Sequence, residues 1–127
     1  MILYSLILLI ISFHPESVKA PRFIEKAEPV KADEGGQAVF KMKVTGEPKP
    51  KVQWSKGWKQ IQDGGRFVVA YDDDLDEAIL AIEELVPTDT GKYTCKLTNV
   101  AGEDKAVVSV AVVQKPKEKE VMFSLKK

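Results

Sequence analysis

The sequence is poor in the residue types that most often carry chemistry. Its 127 residues include one cysteine, Cys95, and one histidine, His14. A single cysteine cannot form a disulfide within the chain, and small secreted domains usually depend on such bridges, so cysteine usage favours a reducing compartment. Because His14 lies in an unusual N-terminal segment, the rest of the chain has no imidazole for metal binding or acid–base catalysis. We therefore predict no catalytic residue, no metal site and no cofactor.

The chain also lacks an excess of either charge. Nineteen Lys and Arg residues balance nineteen Asp and Glu residues, so the formal net charge is zero. No overall field draws such a chain to nucleic acid or to an anionic membrane, and we predict protein partners and no nucleic-acid partner. The length leaves room for one domain with tails, whose core is large enough to fold without a metal or a cross-link.

Long apolar runs are absent except at the N-terminus, where residues 2–13 are almost all apolar. This run is shorter than the roughly 20 residues that cross a bilayer. Its length and the small Ala20 are typical of a secretory signal cleaved before Pro21, although no basic residue precedes the run and proline is unfavourable after a cleavage site. We interpret residues 1–20 either as a signal peptide or anchor, the only route to a membrane, or as a mis-assigned first exon outside the functional protein.

One stretch, residues 89–98, has a clear strand pattern. From Tyr93 onward its residues alternate, with Tyr93, Cys95 and Leu97 on one face and polar residues on the other, which predicts a half-buried β-strand. The Asp-Thr-Gly turn before it allows Tyr93 to bury its ring while its hydroxyl returns to the backbone near residues 86–89.

The remaining chain consists of short strand-like segments between turns, with no helical period, so we predict an all-β domain. An edge strand is expected at residues 21–24 and is expected to continue at 29–32. Trp58 and Ile61 are expected in an irregular ribbon, and residues 99–102 are expected to form a hairpin turn. Further strands are predicted at 37–45, 52–54, 66–71 and 78–82, with a last one whose inner face carries Ala106, Val108, Val110 and Val112. The predicted core residues are Phe40, Met42, Trp54, Leu80, Ile82, Tyr93 and Cys95.

Several motifs together resemble the I-set immunoglobulin domain over residues 21–115. They are Gly46-Glu47-Pro48-Lys49-Pro50, Trp54, Arg66, Leu80-x-Ile82, Asp89-x-Gly91-x-Tyr93-x-Cys95 and Asn99-x-x-Gly102. The resemblance implies a Greek-key β-sandwich of two antiparallel sheets, with an ion pair between Arg66 and Asp89 at one end. Within that family the chain is most similar to the intracellular modules of titin, twitchin and myosin-binding protein C. Met42 stands where extracellular members carry the partner of Cys95, so no disulfide is expected.

Two other groups of residues invite a functional interpretation. Asp72, Asp74, Asp76 and Glu83 have the spacing of a calcium loop, but Glu77 replaces its glycine, and an extended segment would carry Glu83 ~20 Å away at ~3.3 Å per residue. We predict a solvated acidic loop instead.

Trp58, Tyr71 and an outward Ile79 form a candidate apolar patch for a partner, although singly exposed apolar side chains are ordinary. Cys95 is interpreted as a core residue, because the strand pattern points it inward and no basic or imidazole partner is placed to lower its pKa.

The sequence thus favours a non-enzymatic immunoglobulin module that binds proteins through its strand edges and loops. The first hypothesis is a domain of an intracellular muscle-filament or cytoskeletal protein, located in the sarcomere or cytoskeleton, which contacts filament proteins and neighbouring immunoglobulin-type domains. Residues 116–127 are predicted to form a charged linker or tail. The alternative is a secreted or membrane-tethered cell-adhesion domain, supported by the apolar segment at residues 1–20.

Overall fold

The computed structural model describes residues 18–114. The predicted linker at 116–127 and residues 1–17 of the predicted N-terminal segment lie outside this range. The described chain forms nine strands and one short 3-10 turn at Pro87–Asp89. The strands are β1 Lys19–Glu25, β2 Val30–Asp33, β3 Ala38–Glu47, β4 Lys51–Lys56, β5 Lys59–Ile61, β6 Phe67–Asp72, β7 Glu77–Ile82, β8 Gly91–Asn99 and β9 Gly102–Val113.

These strands build two sheets that pack face to face. The four-stranded sheet has the order β1-β3-β7-β6 and the five-stranded sheet the order β2-β9-β8-β4-β5. Every pairing is antiparallel except that of β2 with β9, which is parallel. The predicted fold class, an all-β immunoglobulin-like sandwich without a disulfide, is confirmed.

The core forms because the strands alternate apolar and polar side chains. In β3 every second residue from Ala38 to Val44 is buried and the residues between them are exposed. The same alternation in β7 and β8 brings their apolar faces into one cluster between the sheets. At its centre the rings of Phe40 and Trp54 lie 6.4 Å apart between centroids, an aromatic pair that joins the two sheets.

Two strands differ from the sequence prediction. The segment at 29–32 does not continue the first edge strand but crosses to the other sheet, where Val30 pairs with Val110 and Asp33 with Val113. Pro29, which cannot donate to a ladder, lies at this crossing. The ribbon predicted to be irregular contains β5, because a turn at Gly57, with φ of 61°, allows Trp54 to pair with Ile61.

The hairpin predicted at residues 99–102 is present, with Asn99 opposite Gly102. The Asn99 side chain also joins three segments: its Nδ2 donates to the carbonyl of Lys19 at 2.8 Å and to that of Pro48 at 3.0 Å, and its Oδ1 accepts from Ala101 N at 2.8 Å. Strand β1 begins at Lys19, two residues before the predicted domain boundary. The first strand is therefore tied to the turn between β8 and β9.

Candidate functional site

The residue types that most often carry chemistry are few or shielded in the part of the chain that the structure describes. Cys95 is a free and fully buried thiol, and burial raises its pKa to about 12, so it is protonated and shielded at neutral pH. Within residues 18–114 no three His, Cys, Asp or Glu side chains are placed to hold a metal ion. Over the same range no helix is long and apolar enough to cross a membrane.

The seven predicted core residues lie together between the sheets. Each of them is at most 1% exposed, and all belong to one continuous cluster. Trp54 lies opposite Cys95 in the pairing of β4 with β8, while Met42 projects from β3 in the other sheet. Packing alone therefore joins the two sheets at this point, where no disulfide crosses the sandwich.

The main polar cluster lies at one end of the sandwich, around Asp89 of the 3-10 turn. Arg66 holds the Asp89 carboxylate in a two-pronged ion pair, with Nη1 at 2.8 Å from Oδ2 and Nη2 at 3.2 Å from Oδ1. Val86 N donates to the same carboxylate at 2.9 Å. Burial alone would raise the pKa of Asp89, but the hydrogen bonds from Arg66 and from Val86 outweigh it and lower that pKa. The pair stays charged and holds the turn.

Tyr93 and Lys56 complete this polar cluster. The Tyr93 hydroxyl donates to the backbone carbonyl of Asp89 at 2.6 Å, and the ammonium of Lys56 lies 5.5 Å from the Tyr93 ring centroid and donates to the carbonyl of Thr88. Burial raises the pKa of Tyr93 to about 12, so its hydroxyl remains a donor. A cleft of about 500 Å³ lies beside the cluster, but both charges of Arg66 and Asp89 are already paired with each other. The cluster holds the turn structurally and has no free acid or base.

The predicted apolar patch of Trp58, Tyr71 and Ile79 is not formed. Trp58 lies in the turn between β4 and β5 of the five-stranded sheet, whereas the other two residues belong to the four-stranded sheet. Tyr71 pairs with the buried Ala78 and packs partly against the core, so it lies on the inner face while Ile79 lies on the outer one. The alternation within each strand and the division into two sheets separate the three side chains.

Carboxylates of the acidic loop bind protein groups nearby. Asp72 Oδ1 accepts from the backbone N–H groups of Asp74 and Leu75 at 2.9 and 3.1 Å, and Asp73 forms an ion pair with Lys49. Glu83, which completes the calcium-loop spacing in sequence, follows the far end of β7. The strand keeps it away from the aspartates.

Sequence reasoning missed two aspartates that cover sheet edges. Asp104 Oδ2 accepts from Phe23 N on β1 at 3.1 Å, and Asp63 Oδ1 accepts from Val69 N on β6 at 2.8 Å. Strands β1 and β6 are the two edges of the four-stranded sheet. Nothing in the sequence around either aspartate indicates this role, because the backbone N–H that each carboxylate binds is known only from the tertiary structure.

Comparison with known proteins agrees with this architecture. The sequence profile of the immunoglobulin I-set domain matches residues 21–112. The chain is 41% identical to CAVP-target protein of Branchiostoma lanceolatum, over 61% of this chain and 31% of that protein. It is 37% identical to titin of Drosophila melanogaster over 73% of this chain, and 30% identical to the muscle M-line assembly protein unc-89 of Caenorhabditis elegans over 87%.

These alignments cover a small part of the muscle proteins, 0% of titin to the nearest per cent and 1% of unc-89. The chain therefore spans less than a third of the length of the curated relatives it matches. Among solved structures, a chain in the titin–obscurin-like 1 Ig complex superposes with a TM-score of 0.73 at 35% identity, which covers 78% of this chain and 99% of that one. The matched profile, the relatives and the sandwich agree, and the chain belongs to the immunoglobulin I-set family.

Proposed function

We propose that this chain is a non-enzymatic immunoglobulin module of a muscle-filament or cytoskeletal protein, where it spaces neighbouring modules, binds protein partners and bears load. Its resemblance to parts of titin and unc-89 supports a place in the sarcomere. The solved complex of titin with an obscurin-like 1 Ig domain supports partners that are themselves immunoglobulin-type domains.

The parallel pairing of β2 with β9 carries the mechanical part of this proposal. It joins a segment near the start of the described chain to the last strand, in register from Val30 opposite Val110 to Asp33 opposite Val113. Glu34 N extends this ladder by donating to Val113 O at 2.8 Å. Tension between the two ends of the domain pulls parallel neighbours in opposite directions, so the hydrogen bonds between them are loaded together in shear.

Single-molecule pulling tests the mechanical role. In a parallel strand, every second residue points its N–H group to the same neighbouring strand. Because Glu34 N donates to β9, the N–H of Ala32 also points to β9, and the N–H of Lys31 points away from it. With the full chain held between marker domains, Ala32→Pro should lower the unfolding force clearly, whereas Lys31→Pro, at a position where the edge tolerates proline, should lower it much less. Equal forces for the parent and Ala32→Pro would refute the role of this strand pair in resisting force.

The cellular part of the proposal has a separate test. The full chain, tagged at its C-terminus and produced in striated muscle cells, should appear in a periodic pattern along the myofibrils and remain with the cells. Recovery of the protein from the medium would instead favour the secreted adhesion domain.

A further inference from the structure

The outer face of the five-stranded sheet carries an exposed tryptophan beside two shallow depressions. Trp58 is 96% exposed in the turn between β4 and β5. The first depression, of about 580 Å³, is lined by Lys56, Gly57, Trp58, Lys92, Thr94 and Val107. The second, of about 300 Å³, shares Gly57 and Thr94 with the first, so the two are adjacent. We call the surface formed by Trp58, Lys92, Thr94, Lys96, Lys105 and Val107 the tryptophan face.

The residues that line these two depressions carry charge of one sign. The residues that line the two depressions include four lysines and no carboxylate. Lys56 is turned toward the Tyr93 ring, and Lys96 has an exposed ion pair with Glu103 at 3.2 Å. Neither Lys92 nor Lys105 forms an ion pair with a described residue. The chain as a whole has zero net charge, so this surface around Trp58 is a local concentration of positive charge.

The strand register places two of these lysines side by side, and only Lys96 has a carboxylate partner among the described residues. In the pairing of β8 with β9, Lys96 lies directly opposite Lys105, and Thr94 lies opposite Val107, which is 58% exposed. Like charges directly opposite each other destabilise an antiparallel pair. A bound carboxylate between them would reverse the sign of this interaction.

We propose that the tryptophan face binds an extended, acidic segment of a partner protein. Lys92 and Lys96 are four residues apart on β8, about 13 Å at ~3.3 Å per residue, which matches two carboxylates four residues apart in an extended segment. One carboxylate pairs with Lys92 and the other lies between Lys96 and Lys105. An apolar side chain between them packs on Trp58 and Val107, since tryptophan is enriched at protein contact sites. This inference rests on the protein-binding role proposed above, because it specifies the chemistry of the partner. It does not depend on the mechanical role.

Peptide titration of the full chain tests this proposal. The probe is a peptide of sequence Gly-Glu-Ser-Leu-Ser-Glu-Gly, with its two glutamates four residues apart, and the control peptide has lysines in place of both glutamates. Binding should shift the Trp58 emission to shorter wavelength and weaken as salt is added. Trp58→Ala should abolish this shift, because the remaining Trp54 is buried.

Matched lysine variants distinguish a site from general charge attraction. Lys92→Gln and Lys105→Gln should each weaken glutamate-peptide binding about five-fold, which corresponds to an exposed ion pair of about 1 kcal/mol. Lys41→Gln, on the exposed outer side of β3 in the other sheet, should leave it unchanged. These side chains are exposed, so all three variants should stay folded in thermal melts. Lys105→Gln, which removes the repulsion with Lys96, should melt no lower than the parent.

Several outcomes would overturn the proposal. They are equal losses with Lys41→Gln and Lys92→Gln, equal binding of the lysine peptide, or no binding of the glutamate peptide at millimolar concentration. Tighter Trp58-dependent binding to phosphatidylserine vesicles would assign the face to a membrane, and Trp58-dependent dimerisation without peptide would assign it to a second copy. None of these results would affect the pulling experiment on β2, so the mechanical role can fail or stand separately.

Discussion

The two tryptophans of this chain occupy opposite environments. Trp54 is fully buried against Phe40, and its Nε1 has no hydrogen-bond partner among the described residues, so its contribution comes from packing. Trp58 is almost fully exposed four residues later. The sequence predicted the burial of Trp54 because strict alternation at 52–54 fixes its face. The sequence did not show whether Trp58 is buried or exposed, because a residue in a turn belongs to no alternating pattern.

Replacement of each tryptophan by alanine should give very different losses of stability. Trp54→Ala should lower the free energy of unfolding by about 3 to 5 kcal/mol, because it leaves a large cavity between the sheets. Trp58→Ala should change it by less than about 0.5 kcal/mol, as is usual at exposed positions. Denaturant melts measure both. Similar losses for the two variants would show that Trp54 is not central to the core.

Tyr93 permits a test of a single buried hydrogen bond. Tyr93→Phe keeps the ring but removes the donor to the Asp89 carbonyl, so the free energy of unfolding should fall by about 1 to 3 kcal/mol. Tyr71→Phe is the matched control, since its hydroxyl meets Asp76 at an exposed position at 3.2 Å, and a change below about 0.5 kcal/mol is expected. If Tyr93→Phe melts with the parent in denaturant, the bond does not stabilise the corner.

At the scale of elements, the four-stranded sheet has both of its edges partly closed by side chains. Asp104 caps Phe23 N on β1, and Asp63 caps Val69 N on β6. Gly64 also exchanges two backbone hydrogen bonds with Phe67 at the start of β6. Edge strands with free N–H groups pair readily with other chains, so these contacts protect the sheet against such pairing.

Removal of one cap should expose its edge. Asp63→Ala frees Val69 N–H and should increase self-association relative to the parent at the same concentration, as measured by sedimentation. Asp63→Asn keeps an acceptor oxygen at the same distance along the side chain and should sediment like the parent. Identical behaviour of the alanine variant, the asparagine variant and the parent would rule out a protective role for this carboxylate.

Most of the elements could be predicted from the sequence, and the exceptions have physical causes. Strands with several alternating apolar residues, such as β3 and β8, were predicted close to their observed bounds. Strand β5 was missed because its sequence, Lys-Gln-Ile, has one apolar residue and shows no alternation. The transfer of β2 to the other sheet was missed because its partner β9 lies about eighty residues away. The edge-capping aspartates have no local signal at all.

At the scale of the whole molecule, the sandwich holds its two sheets together without a covalent link. A disulfide between positions 42 and 95 would contribute roughly 4 kcal/mol in the chain-entropy model, and packing of Met42 and Cys95 with Trp54 must replace it. The sequence predicted this arrangement because one cysteine is enough to exclude a bridge. The polar cluster at the corner was predicted in part: the turn pattern predicted the bond from the Tyr93 hydroxyl, and the resemblance implied Arg66 and Asp89. The contributions of Lys56 and Val86 follow from the tertiary structure.

We expect the stability of this module to depend on the packing of its hydrophobic core and not on redox state. The most direct measurement is a pair of thermal melts of the full chain, with and without reductant, together with thiol labelling of Cys95 in the native state. We expect identical melting temperatures and labelling that proceeds only on unfolding, because Cys95 is fully buried and its pKa is raised to about 12. Rapid labelling of the native protein, or a disulfide-linked dimer that reductant dissolves, would show that Cys95 is not shielded in the core.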